Sequence, residues 1–364
     1  MTSRERAKLV LNHQEAGRPL RDFGGTVVSS MTVSAHEKLK KFLGIEYAEK
    51  DPIVDYMMGV VTPCEEIQEL FDTDFRRIAP NLAPPKVIDG IWTDAWGIKR
   101  KKAEPHDYYD VVDNPLKNAA IDDLFTYPWP DVDDPAIYEG LEERVSNLYE
   151  NSSHCIIADL AAPGLFGSGT RMRGYEQFLI DMMTDEEFAS AFLGKLVQLT
   201  YTNYLDKVGK YIQVVCFNDD FGMQDRMFMS PETFRKILKP HLKEFFSHIK
   251  NLTDAKLFLH SCGSVYPIIE DLIEIGVDIL NPIQPQAKDM DLIKLKREFG
   301  ERLVLWGGID EQGYLMNGTA ADVRENVRCI TEVMSKGGGY VLAPSHNIQD
   351  DIPCENIIAM YKYA

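Results

Sequence analysis

Residues 256–284 read KLFLHSCGSVYPIIEDLIEIGVDILNPIQ. An apolar run, Leu257 to Leu259, carries the chain straight into His260, Cys262 and Gly263. A segment with apolar residues at helical spacing follows, and a second apolar run then ends at Asn281 and Gln284. Strand, helix and strand in this succession predict a parallel βαβ unit. The same rhythm recurs in HCIIADLAAPG (154–164), VVCFNDDFG (214–222), LVLWGGID (303–310) and GGYVLAPSHN (338–347). Between these runs lie helical patterns such as SPETFRKILKPHLKEFFSHIKN (230–251), which opens on a Ser-Pro cap.

Alternating strands and helices give either an open doubly wound sheet or a closed barrel. No GxGxxG or GxxxxGK[ST] follows a strand, so the nucleotide fingerprints of open sheets are missing. Every strand ends instead in residues capable of chemistry, as in a (β/α)8 (TIM) barrel, whose active site collects the C-terminal ends of many strands. The expectation is therefore an α/β protein, one barrel domain over residues 1–364. RPLRDFGGT (18–26) supplies an early strand, and MTSRERAKLVLNHQEAGRP forms an N-terminal helix over residues 1–20 capped by Thr2 or Ser3. Residues 79–135, rich in Pro and Asp, are expected as inserted loops, with YPWPDVDDP (127–135) as a rigid crossing.

The formal charge of −18 excludes the basic surface of a nucleic-acid binder and disfavours an anionic membrane. It also opposes an anionic substrate, unless a local cationic pocket intervenes. No apolar stretch reaches membrane-spanning length, and the N-terminus lacks the apolar core of a secretory leader. Six scattered cysteines suggest free thiols or metal ligands in a reducing compartment, so a cytoplasmic protein is expected, as monomer or homodimer.

In a strand, residues i and i+2 share a face, so His260 and Cys262 project together at the barrel mouth. Imidazole and thiolate are ordinary zinc ligands, and His346 at the end of the last run offers a third. Two readings stay open from the residues alone: a metal site, or a buried cysteine and a histidine satisfied by a backbone carbonyl. Asp220, or Asp219 as a helix cap, faces inward from the preceding strand, and Asp220 is the candidate ligand, orienting group or acid/base. Asn218, Asn281, Gln284 and Asp310 are candidate substrate contacts, and Asp159 faces the mouth. Phe166, Phe221, Trp306 and Tyr340 either stack on a substrate ring or pack the core.

The stretches GLFGSGTRMRGYEQFLIDM (164–182), NDDFGMQ, MSPETFRKILKPHLKEFF, HSCGSVYPIIEDLIEIGVDILNPIQP, WGGID and HNIQDDIPCENI resemble the uroporphyrinogen decarboxylase superfamily, in particular its corrinoid-dependent methyltransferase branch. That resemblance implies a (β/α)8 barrel. The decarboxylases of the superfamily hold their acidic substrate with an RQAGRY-type loop, and RDFGGTVVSS stands there instead. The methyltransferases carry HxC and a distant cysteine around zinc. HSC matches the first half, but SHN replaces the cysteine turn, so the resemblance implies His260, Cys262 and His346 as ligands, with Cys354 as the rival third. One thiolate and two imidazoles leave zinc more positive than two thiolates do, and a better Lewis acid toward a neutral oxygen. The implied activity is methyl transfer from a methyl ether, such as a methoxylated aromatic, to the cob(I)alamin (corrinoid) of a partner protein. The alternatives are a metal-free decarboxylase acting on a smaller carboxylated substrate, and a barrel that binds a corrinoid or a tetrapyrrole without turnover.

Overall fold

Each apolar run quoted above is a strand of one parallel sheet in a computed structural model of the chain, which describes residues 1–46, 52–81, 83–103, 108–199, 202 and 204–362. The eight strands are β1 (Leu20–Arg21), β2 (Phe75–Ile78), β3 (Cys155–Pro163), β4 (Val214–Asn218), β5 (Lys256–His260), β6 (Ile279–Ile283), β7 (Val304–Ile309) and β8 (Tyr340–Pro344). Consecutive strands pair from β2 to β8, and β8 pairs in parallel with β1. The circle closes through a side chain: Asp74 donates its amide to the Arg21 carbonyl and accepts the Arg21 amide on Oδ2, both at 2.9 Å. The fold is a (β/α)8 barrel. Strand β2, FRRI, escapes a hydropathy reading because half of it is arginine, yet its register with Cys155–Ala158 makes it part of the wall.

Inside the barrel, Leu20, Phe75, Cys155, Ile157, Val214, Cys216, Phe258, Ile279, Val304, Trp306, Val341 and Ala343 form one buried apolar cluster. Trp306 lies at its centre, with ring centroids 4.5 Å from Phe75 and 5.0 Å from Phe258. The helix Ser3–Val10, with a Thr2 capping box, adds Ala7 and Val10 to this cluster and closes the N-terminal end of the strands. Moving one inward step (two residues) along six strands changes the chemistry. Leu20 gives way to Asp22, Phe75 to Arg77, Ile157 to Asp159, Cys216 to Asn218, Phe258 to His260 and Ile279 to Asn281. A polar ring thus sits on an apolar plug, at the end where such barrels keep their chemistry.

The 79–135 segment departs from the expected loops. It contains a four-stranded antiparallel sheet, Val87–Ile88, Ile91–Thr93, Lys99–Lys102 and Tyr109–Asp113, besides short helices at Asp123–Thr126 and Pro135–Tyr138. In KRKK only Arg100 turns inward, paired with Asp94 at 3.1 Å, so no apolar alternation marks the strand. Among the described residues no helix is long and apolar enough to cross a membrane.

Candidate metal centre

His260 ends β5 in the polar ring and is buried. Its Nδ1 lies 2.6 Å from Asn281 Oδ1. The orientation of that amide is fixed, because Asn281 Nδ2 donates to the Trp306 carbonyl at 3.3 Å, leaving only Oδ1 for the imidazole. Nδ1 is therefore the protonated nitrogen and Nε2 presents a lone pair, the tautomer a metal ligand needs. Asn281, expected as a substrate contact, is buried with its amide engaged by His260 and the Trp306 carbonyl.

Cys262 Sγ lies 3.3 Å from His260 Nε2. The loop that carries it is pinned from two sides: Asp220 Oδ1 accepts the Cys262 amide at 2.8 Å, and Gln284 Oε1 accepts the Gly263 amide at 2.5 Å. Gly263 has φ +80°, and a Cβ there would fall 2.4 Å from the Gly222 backbone, so the turn admits glycine alone. His346 reaches in from the end of β8, its ring 6.0 Å from that of His260. One ligand atom from each of His260, Cys262 and His346 lies within 4.8 Å of the others. Tetrahedral zinc with N and S ligands separates them by about 3.5 Å, so this donor set fits the ion. Cys354, buried at the start of the helix Cys354–Lys362, is not in the group.

The electrostatics agree with a site built for a cation. Burial, then the neighbouring His260 imidazole, pushes His346 down to about 4, so its imidazole is neutral and available. Burial, then the Asp220 carboxylate, pushes the Cys262 thiol well above its usual range, which a bound cation would reverse. Asp220 Oδ1 stands 3.7 Å from His260 Nε2, and its side chain is half exposed at the mouth.

The two neighbouring aspartates divide their work. Asp219 accepts the Phe166 and Gly167 amides at 2.9 and 2.8 Å, capping the helix Leu165–Arg173 from the next strand. Burial holds its carboxyl up at about 7. Asp310 likewise caps the turn that follows it, accepting from Gly313 at 3.1 Å and from Gln286 at 2.8 Å. Asp159 faces the mouth but is buried, accepting from Arg77 Nε at 2.9 Å and the Val27 amide at 2.8 Å. Asn218 is half buried beside Cys216. Phe221, Trp306 and Tyr340 are core residues. One carboxylate was not singled out from the sequence. Glu311 lies at the mouth where burial raises its carboxyl well above the ordinary range against the His346 amide, and its Oε1 has no hydrogen-bond partner among the described residues. Its position after Asp310, at the first residue of a helical turn, gave no signal distinct from an ordinary N-terminal acid.

The family model for uroporphyrinogen decarboxylase (URO-D) matches residues 152–364, more than half of the chain and every strand from β3 to β8. The chain belongs to the URO-D family. Within it, a methylcobamide:CoM methyltransferase MtaA from Methanosarcina barkeri is 30% identical over 162 residues, which is 44% of this chain and 43% of the relative. A second MtaA, from M. barkeri strain Fusaro, is 28% identical over the same share of each chain. The matched stretch thus spans less than half the length of either relative. A solved methyltransferase structure from Methanosarcina mazei superposes with a TM-score of 0.69 at 19% identity, covering 100% of this chain and 98% of that one, and shares the fold.

Proposed function

We propose that this URO-D family protein is a zinc-dependent methyltransferase that moves a methyl group from a methyl ether, such as a methoxylated aromatic, to the cob(I)alamin of a partner corrinoid protein. The observation that carries this reading is the convergence of His260 Nε2, Cys262 Sγ and His346 at one point of the barrel mouth. Similarity to methylcobamide methyltransferases supports the corrinoid partner. Zinc bound there would supply a Lewis acid of net positive charge, suited to a neutral ether oxygen.

The chain's own residues set the stage for the transfer. Asn281 holds the His260 ring in the ligating tautomer, and Asp220 and Gln284 hold the Cys262 loop. In the transfer, the methyl–oxygen bond breaks with its electron pair left on oxygen. The cobalt(I) pair forms the new cobalt–carbon bond, leaving methylcobalt(III). The departing oxygen takes its proton from solvent, and Asp220, the exposed carboxylate beside His260, is placed to accept a hydrogen bond from the water that supplies it. A phenol leaves more readily than an alcohol, which favours aryl ethers. The test is metal analysis of wild type and Cys262→Ala, together with the absorbance change of cob(I)alamin on adding a methoxyarene. About one zinc per chain, lost in the variant, with methyl transfer in wild type, supports the proposal. Wild type that neither contains nor takes up zinc would refute it.

A further inference from the structure

The polar ring of the barrel holds one donor that no described residue uses. Arg77 turns inward from β2, two residues beyond Phe75 of the apolar plug, and its side chain is only 8% exposed. Its Nε donates to Asp159 Oδ2 at 2.9 Å. The same oxygen accepts the Val27 amide at 2.8 Å, from the turn Val27–Ser29 that follows β1. These contacts fix the inner end of the side chain. Beyond them, Nη2 is shielded from solvent and has no hydrogen-bond partner among the described residues. Arg76, Arg100 and Arg173 are as deeply shielded, yet each has all three side-chain nitrogens engaged. A buried N–H without an acceptor is destabilising, and folded interiors keep few of them. One that faces a barrel mouth is a place for a ligand oxygen.

Strand register places this donor on the same ring as the metal ligands. Asp159 stands opposite Cys216 in the β3–β4 ladder, and Cys216 Sγ lies 3.5 Å from Asn218 Oδ1. Asn218 in turn stands opposite His260 in the β4–β5 ladder. In the other direction β1 alone separates β2 from β8, which leads into His346. Eight strands about 4.8 Å apart, tilted by about 36°, make a wall roughly 15 Å across, and inward side chains narrow it further. A molecule seated in a mouth of that width meets both sides. The partner Arg77 already holds sets the chemistry it can add. Asp159 balances the guanidinium charge, so Nη2 offers a hydrogen bond rather than a free positive charge. A second anion would face the Asp159 carboxylate as well as the overall charge of −18. A neutral oxygen on an aromatic ring accepts from Nη2 and brings no charge.

We propose that Arg77 Nη2 anchors a neutral oxygen of the substrate, so that the methyl donor is an aromatic ring bearing a hydroxyl or second alkoxy group besides its methoxy group. This rests on the methyltransferase reading for the methoxy group but not for the anchor itself. The test is calorimetric binding of 2-, 3- and 4-methoxyphenol, each beside the methoxytoluene of the same substitution pattern, to zinc-supplied wild type and Arg77→Lys. Lysine keeps a positive charge for Asp159 but has a single nitrogen, so it preserves the ion pair and removes the second donor. At least one phenol should bind wild type about 10- to 100-fold more tightly than its toluene. In Arg77→Lys that preference should vanish while affinity for the toluene stays within about twofold. Equal affinity of phenol and toluene at all three positions, binding of none of the probes, or a preference surviving in Arg77→Lys would overturn the assignment. The wild-type comparison stands even if the variant fails to fold. A preferred phenol that never methylates cob(I)alamin would refute the methyltransferase reading and leave the anchor intact. Methyl transfer from phenols and toluenes alike, without a binding preference, would do the reverse.

Discussion

Replacing Asn281 by Leu tests the tautomer argument without touching a ligand atom. The side chains are nearly equal in size, but leucine neither accepts from His260 Nδ1 nor donates to the Trp306 carbonyl, contacts of 2.6 and 3.3 Å between three buried residues. Two effects follow. Loss of a hydrogen-bonded partner to a metal-bound histidine typically lowers metal affinity about 10- to 100-fold, or about 1.4–2.7 kcal/mol. Leaving a buried N–H and a buried carbonyl unsatisfied lowers stability by about 1–3 kcal/mol for each group. Zinc affinity is read by competition with a chromophoric chelator, and stability by urea titration of the metal-free protein. Asn281→Asp serves as the contrast, since a carboxylate accepts from Nδ1 at least as well and should keep zinc bound. Zinc affinity in Asn281→Leu within about twofold of wild type would refute the claim that this amide prepares His260 for a metal.

Cys354→Ser should leave zinc content unchanged whereas His346→Ala removes it, which metal analysis of the two variants decides. Asp219→Ala strips one buried and one part-buried amide of their acceptor and should cost about 2–4 kcal/mol in urea unfolding, measured at one pH against wild type. Asp22 is wholly buried, and burial raises its carboxyl from 3.8 to about 7 although Trp306 Nε1 donates to it at 2.9 Å. Its folded form therefore holds a proton that the unfolded chain releases near pH 4, so stability from this group is greatest at low pH and falls as pH rises from about 4 to 7. Asp22→Asn should accordingly stabilise the protein more at pH 8 than at pH 5, by up to about 2.6 kcal/mol, and an equal shift of the thermal midpoint at both pH values would contradict this.

The barrel was legible where strand and chemistry alternate. KLFLHSC and DILNPIQ each show an apolar run and the polar residue that ends it, and inward parity then places His260 and Asn281 together. Parity could not say that Asn281 would serve His260, because that contact runs between neighbouring strands whose relative shift depends on the whole barrel. FRRI was opaque for a different reason: arginine looks solvent-bound in a hydropathy profile, yet Arg77 turns inward to Asp159. The Lys99–Lys102 strand was hidden in the same way. That one nitrogen of Arg77 stays without a partner is a property of three elements at once, and no spacing in FRRI announces it.

The way the barrel closes has a mechanical consequence. Between β1 and β2 the sheet is joined by a carboxylate and a single turn of backbone contact at Asp74, whereas the other borders are strand ladders. A cylinder with one weak border opens there first, and amides at Arg21 and Asp74 should exchange with solvent ahead of those in β5 and β6. His260 and Asn281 lie on the two strands farthest around the circle from that border. Two of the three ligands, His260 and Cys262, thus stand opposite the seam, whereas His346 ends β8, one strand from it, so loosening at the seam shifts one ligand against two that stay fixed.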